Sequence, residues 1–438
     1  MAETTSNQRN GAWHGDYRRM ILAIMFAGSV VNYLDRVNLS IANTTIANEF
    51  GLGPVEMGFL MSAFMWSYAF ANLPAGWLLD KFGIRSIFAW STVAWSLLTI
   101  AGGFAQGFVS MCLVRFILGI AEAPFFICSG HFTKTHFSEN ERGGASSVIN
   151  MGPKIANGFA PPLLTFMLIS LGWRSMFICL GAVGFLIAAA WLKYYREDRD
   201  HLQPAGENDI PGKSRSGANY LAILKHPTTL WFCLGNIGSS YLFWLYFTWL
   251  PAYLTTQRGM TLTQAGWAAI IPFIGGVAAV PIGGYLSDYL VRKGMNLIRA
   301  RLVPTVGGCL LAAVAVAPLN YVHETSTAVM LMTVSLFAGA LRVGVLWALV
   351  GDIAPHGAVG SFGGIQNFAN FVGAALAPMG TGYILKATGS YNHVFSVSAV
   401  LCALGAISYL MIKRKITAED LRMGTIQDSR GDHGESAL

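Results

Sequence analysis

The chain has 438 residues, 54% of them hydrophobic and only 12% charged, where a soluble domain carries about 25% charged residues. That balance excludes a soluble globular domain and assigns the protein to a lipid bilayer. A formal charge of +7 would suit an acidic partner such as nucleic acid, but the charge is distributed as it is in membrane proteins.

A spanning helix needs about 20 mostly apolar residues. On that measure the chain divides into twelve spans, near 19–41, 56–79, 86–106, 109–130, 143–168, 174–193, 228–252, 263–287, 303–321, 326–350, 358–384 and 391–413. The expected fold is therefore an all-α membrane protein with twelve transmembrane helices in two pseudo-symmetric six-helix bundles. The divisions are a cytoplasmic segment 1–18, bundles at 19–193 and 226–413, a polar linker 194–225 between them and a tail 414–438. The first apolar run ends on Asp35-Arg36 and lacks the small-residue cleavage site of a signal peptide.

With both termini inside, the inner segments hold 22 of the 29 Lys and Arg residues, and the outer loops only Arg174, Arg258 and Lys386. That asymmetry is the positive-inside rule, so the basicity sets orientation and not nucleic-acid affinity. The six cysteines all fall within spans and form no CxxC or metal spacing, so they read as small buried apolar residues. No metal site and no cofactor motif is expected.

The two halves repeat a signature. Gly76-Trp77-Leu78-Leu79-Asp80-Lys81-Phe82-Gly83-Ile84-Arg85 follows the second span, and Gly284-Tyr285-Leu286-Ser287-Asp288 ends the eighth before Arg292-Lys293. Internal repeats of this kind build many secondary transporters, whose halves rock around a midplane site. Gly76 and Gly284 are expected to admit a neighbouring backbone, and Asp80 and Asp288 to accept hydrogen bonds from a helix N-terminus.

Six strongly ionisable residues lie inside or at the end of spans: Asp35, Arg36, Arg115, Glu122, Lys154 and Arg342. Charges at such depth are rare and mark functional sites by default. Arg115 and Glu122, seven residues apart, share one face of span 4 at about 10 Å along the axis, too far for a direct bond. Asp35 and Arg36 point about 100° apart. One assignment turns Arg36 to the cavity, where its fork suits a carboxylate, and Asp35 to span 4. The alternatives are a static ion network and a helix-end pair reaching for the interface. Lys154, near the midplane after Gly152-Pro153, binds a substrate carboxylate or neutralises Glu122. Arg342 is a second anchor or a gate. Four embedded cations against two acids favour an anionic cargo.

The stretch Asn32 to Leu39, together with Arg115-x6-Glu122-Ala123-Pro124 and the Gly76–Arg85 loop, resembles the anion:cation symporter family of the major facilitator superfamily, which includes bacterial proton-coupled galactonate, glucarate and hexuronate carriers. The resemblance implies proton handling at Asp35 and Glu122 with Arg115 as their partner, and a substrate carboxylate on Arg36. It adds Tyr33, Tyr68, Trp347 and Asn367 as site walls. Lys154 stands where galactonate carriers have a glutamine, and Arg342 where an uncharged residue is expected. The implied protein is a monomeric carrier in a bacterial inner membrane, both termini cytoplasmic. It would import a sugar acid or related carboxylate, mono- or dianionic, with protons as coupling ion. Import of an aromatic carboxylate and proton-coupled export are the alternatives. An embedded enzyme would need a catalytic constellation, and no HExxH, GxSxG, P-loop or fitting GxGxxG is present.

Overall fold

Two glycines with positive φ shape the long apolar runs. In the computed structural model, which describes residues 2–137, 139–196, 220–354, 359–412 and 414–417, these runs form helices and no strand occurs among the described residues. Most of the expected linker and tail, 197–219 and 418–438, lies outside them.

The helices are α1 (Ala2–Ile41), α2 (Asn43–Phe50), α3 (Pro54–Gly103), α4 (Phe108–Glu122), α5 (Pro124–His136), α6 (Glu139–Tyr194) and α7 (Tyr220–Lys225). They continue as α8 (Pro227–Thr256), α9 (Leu262–Arg292), α10 (Leu297–Val316), α11 (Thr325–Ala340), α12 (Val343–Ile353), α13 (Val359–Thr388) and α14 (Tyr391–Leu410). Within α3 the chain reverses at Gly83 (φ 76°), and within α6 at Gly172 (φ 78°). A side chain in that left-handed region costs about 1–2 kcal/mol, so glycine is the residue that turns one span into the next without a loop. Setting aside the short α2 and α7, counting α3 and α6 twice, and joining α4 to α5 and α11 to α12, the described residues form the twelve segments expected.

Pro54 and Pro124 occupy first-turn positions, where a missing N–H costs nothing. Pro124 follows Ala123 directly, so α4 and α5 read as one bent span. Between α11 and α12 the break falls at Leu341-Arg342. Breaks of this kind free backbone groups, which membrane proteins tolerate where other protein or a cavity satisfies them.

The chain forms two compact units. The first comprises Met1–His201 with Thr248–Ile270, and the second Leu202–Phe247 with Ile271–Leu438. In the first unit α1 packs on α6, and α3 on α4 and α6. Ser40 Oγ there donates to the Thr248 carbonyl at 2.7 Å. In the second unit α10 packs on α14 and α11, around a core that includes Phe232, Phe362 and Tyr409.

The repeated signature takes a different form in each unit. The Asp80 side chain lies outside the described residues. Lys81 Nζ sits over the Trp77 ring at 4.9 Å, and Arg85 is bound twice to the end of α6. Its Nη2 donates to the Leu192 carbonyl at 3.3 Å, and its own carbonyl accepts from Trp191 Nε1 at 3.1 Å. In the second unit Asp288 accepts from a side chain instead of a helix N-terminus. Arg301 Nη1 donates to Asp288 Oδ1 at 2.6 Å and to Ser287 Oγ at 3.1 Å, while its Nε donates to Asp352 Oδ2 at 3.2 Å. A guanidinium has separate edges and serves two carboxylates at once, which a helix end does not. The close backbone approach also falls one residue early. A β-carbon at Gly76 would meet nothing within 4 Å, and one at Gly284 only the Gly344 carbonyl at 3.7 Å, whereas one at Gly283 would collide with the Leu341 carbonyl.

Candidate functional site

The charged face of α4 is brought against α3 by a residue that carries no charge. Gly119 lies between Arg115 and Glu122 on one helical face, and a β-carbon there would collide with Ser67 Oγ and the Phe64 carbonyl. Small residues permit such approach between membrane helices. On the other side, Gly152 plays the same part between α6 and α1, where a β-carbon would collide with Ser29 Oγ. Ser29 Oγ also donates to the Ile149 carbonyl at 2.9 Å, fixing the two helices at that level.

These approaches assemble a buried cluster. Arg36 Nε donates to Glu122 Oε2 at 3.0 Å, with the two side chains 1% and 0% exposed. The guanidinium is caged by aromatic rings, 4.8 Å from the Tyr33 centroid, 5.1 Å from Phe64 and 4.4 Å from Tyr68. Cation–π contacts strengthen when desolvated, to about 2 kcal/mol. The Arg115 guanidinium also lies over the Phe64 ring, at 5.0 Å, and donates from Nη1 to the Asp35 carbonyl at 3.2 Å.

The pairing differs from the assignment suggested by the helical angle between Asp35 and Arg36. Arg36 pairs with the acid of α4, while Asp35 also lies beside the α4 charges Glu122 and Arg115 without a pair of its own. Asp35 is fully buried, and neither carboxylate oxygen has a hydrogen-bond partner among the described residues. Thr99 is the hydroxyl turned toward it. Arg36 takes the contact with Glu122 because it is the cation of the pair, whereas a second carboxylate beside Glu122 is repelled. Glu122 keeps Oε1 free, as Arg36 keeps Nη2. Asn32 faces Glu122, and both ends of its amide are unpaired.

Lys154 is half-buried on α6, and no carboxylate pairs with it among the described residues. Glu122 is paired with Arg36, and no ion pair joins Lys154 to it among the described residues. Tyr33 and Tyr68 stand together in the aromatic cage. Among the residues predicted from sequence, Asp35, Arg36, Arg115, Glu122, Tyr33 and Tyr68 thus form one cluster in the first unit.

The remaining three belong to the second unit. Arg342, 4% exposed, donates from Nη1 to Asn236 Oδ1 at 2.9 Å. Trp347 is 62% exposed and lies over Gly363, where a β-carbon would be 3.0 Å from the indole. Asn367 is half-buried on α13. Five residues separate Arg342 from Trp347, so the two point in different directions. Phe64, Thr99, Asn32, Gly119 and Asn236 are the participants that sequence reasoning missed. Only Gly119 carried a signal, its i+4 spacing from Arg115. Among the described residues no three His, Cys, Asp or Glu side chains converge as a metal ion would require.

Comparison with known proteins follows this geometry. The chain matches the Major Facilitator Superfamily over residues 25–378. It is 33% identical over 433 residues to the probable galactarate/D-glucarate transporter GarP of Escherichia coli strain K12, covering 92% of this chain and 96% of the relative. It is 34% identical over 403 residues to the probable L-galactonate transporter of the same strain, covering 90% and 89%. Among solved structures it resembles a bacterial homolog of the human lysosomal transporter Spinster, inward-facing and occupied, with a TM-score of 0.75 at 17% identity over 92% of this chain and 98% of that one. A D-xylose-proton symporter gives a TM-score of 0.73 at 15% identity, covering 91% and 98%. The structural likenesses concern the fold alone and agree with two six-helix bundles. The sequence matches run through nearly the whole chain and concern transporters, not enzymes: the chain belongs to the Major Facilitator Superfamily.

Proposed function

We propose that the protein is a secondary transporter that imports a sugar acid or related carboxylate together with protons by alternating access. The observation that carries the reading is the buried Arg36–Glu122 pair with the unpaired Asp35 beside it. The identity to sugar-acid transporters at 33% and 34% supports the substrate class.

In this reading Glu122 and the cargo compete for one guanidinium. Arg36 uses Nε on Glu122 and leaves Nη2 without an acceptor. A carboxylate takes two parallel N–H donors from an arginine fork, so an incoming acid binds better than Glu122 does. Protonation of Glu122 removes its charge and releases Arg36 to the substrate. Asp35 takes the second proton, and Arg115, held on the Asp35 carbonyl, reports the change to α4. Lys154, which pairs with no acid among the described residues, adds a second positive contact for the anion, and within the second unit Asn367 is read as a substrate contact. Both termini face the cytoplasm, in a bacterial inner membrane.

Proteoliposome uptake of radiolabelled galactarate, D-glucarate and D-galactonate under an imposed inward proton gradient tests this. Accumulation of at least one acid above equilibrium, abolished by collapsing the gradient, is expected. Glu122→Gln is expected to lose accumulation while keeping counterflow. Gradient-driven accumulation that survives Glu122→Gln overturns the proton assignment.

A further inference from the structure

Asn236 is fully buried on α8, and both ends of its amide are used. Oδ1 accepts from Arg342 Nη1 at 2.9 Å, and Nδ2 donates to the backbone carbonyl of Gln366 at 2.8 Å. The partners come from separate elements, Arg342 from the break between α11 and α12 and Gln366 from α13. One side chain therefore ties three parts of the second unit at a single level, in one orientation of its amide.

The cation makes this tie directional. Arg342 meets no carboxylate among the described residues, since Asp288 and Asp352 are taken by Arg301. Its Nε has no partner among the described residues, and its Nη1 reaches Asn236 Oδ1, with the Tyr409 hydroxyl also beside the guanidinium. Hydrogen bonds to charged groups are the stronger ones, and an amide polarised at its oxygen donates better from its nitrogen. The recipient is a helix carbonyl with a spare lone pair. Holding it fixes the rotation of α13 about its own axis at this turn, where each residue is worth about 100°. The next residue is Asn367, which is half-buried.

We infer that Asn236, held by Arg342, is a positioning residue that sets the rotation of α13 and so aims Asn367 at the transported anion. The inference rests on reading Asn367 as a substrate contact. Arg342 then acts through Asn236 and not on the cargo directly.

Two readouts separate this from a merely structural role. The first is the KM and maximal rate of uptake of galactarate, D-glucarate and D-galactonate into proteoliposomes. Asn236→Leu is expected to raise KM about tenfold, the loss of about one good hydrogen bond to substrate, with the maximal rate within about twofold. The second is ligand-free. In a background with the six native cysteines replaced, Asn367→Cys is labelled with a small anionic thiosulfonate, and adding Asn236→Leu is expected to change the labelling rate about tenfold. Because Asn236→Leu strands a buried charge, the double variant Asn236→Leu/Arg342→Met repeats both measurements without that charge. An unchanged KM and labelling rate in the double variant overturn the inference. If instead Asn367→Ala keeps the parent KM, the substrate reading of Asn367 fails, while the labelling arm still decides whether Asn236 orients α13.

Discussion

Arg36 Nε and Glu122 Oε2 are 3.0 Å apart across 86 residues of sequence, and each side chain keeps a second polar atom, Nη2 and Oε1, without a partner. The pair is closed to water yet half-engaged. Either member has capacity for another ligand, a carboxylate for the arginine and a proton for the acid. A structural ion pair gains most when both edges are used, so the unused edges argue for a contact built to open.

Removing Arg36 leaves Glu122 buried without a counter-charge, which costs about 3–5 kcal/mol. Arg36→Met is therefore expected to lower the thermal midpoint in detergent markedly. Arg36→Met/Glu122→Gln is expected to recover most of that loss, because both charges leave together. Intrinsic fluorescence melting measures this, and neither variant is expected to accumulate substrate.

Asp35 behaves differently because no ion pair is lost with it. Asp35→Asn keeps the shape and removes a carboxylate whose oxygens have no partner. The thermal midpoint is expected to hold or rise, while gradient-driven accumulation falls at least about tenfold with counterflow retained. A large drop in midpoint would show instead that Asp35 is a structural anion.

Gly119 is tested by bulk alone. Gly119→Val places methyl groups against Ser67 Oγ and a backbone carbonyl, and overpacking of this kind costs about 1–3 kcal/mol. Gly130→Ala is the control, since a β-carbon there meets nothing within 4 Å. A lower midpoint and reduced uptake are expected for the first and near-parent behaviour for the second.

At the end of α2, Glu49 Oε2 accepts from Trp173 Nε1 at 2.6 Å, and Oε1 accepts from Arg174. These donors, the indole first, hold the Glu49 carboxyl below the usual range. A depressed carboxylate stabilises the folded state above its unfolded value, near pH ~4.3, and that contribution is lost as pH falls through the folded value. Glu49 and Arg174 are 39% and 44% exposed, so the effect is small. Glu49→Gln is expected to melt slightly below the parent at pH 7, with the difference closing as the buffer is acidified below pH ~4.

The embedded charges were legible in the sequence because a charge in an apolar run is rare enough to stand out. Asp35, Arg36, Arg115 and Glu122 do gather in one place. Their pairing was not legible, because it depends on how α1 and α4 face each other, which spacing along one helix does not encode. Gly119 is one of 49 glycines, hinted at by its i+4 spacing from Arg115 and singled out by its contact with Ser67 and Phe64. The repeated Gly-x-x-x-Asp drew attention to Gly284, while the tight packing falls on Gly283. The repeat marks the position of a turn, and helix rotation decides which neighbour carries the contact. Asn236 had no signal at all, since a lone asparagine in an apolar span has the same appearance whether it packs or orients.

The reversals at Gly83 and Gly172 have a consequence for how this chain can vary in length. Each joins two spans through one left-handed residue, so neither has slack to absorb an insertion. One added residue turns the following helix by about 100°. After Gly83 that would swing Arg85 away from Trp191 and Leu192, and after Gly172 it would part Trp173 from Glu49. Tags, epitopes and reporter domains placed at these two points would therefore shear the helices they join.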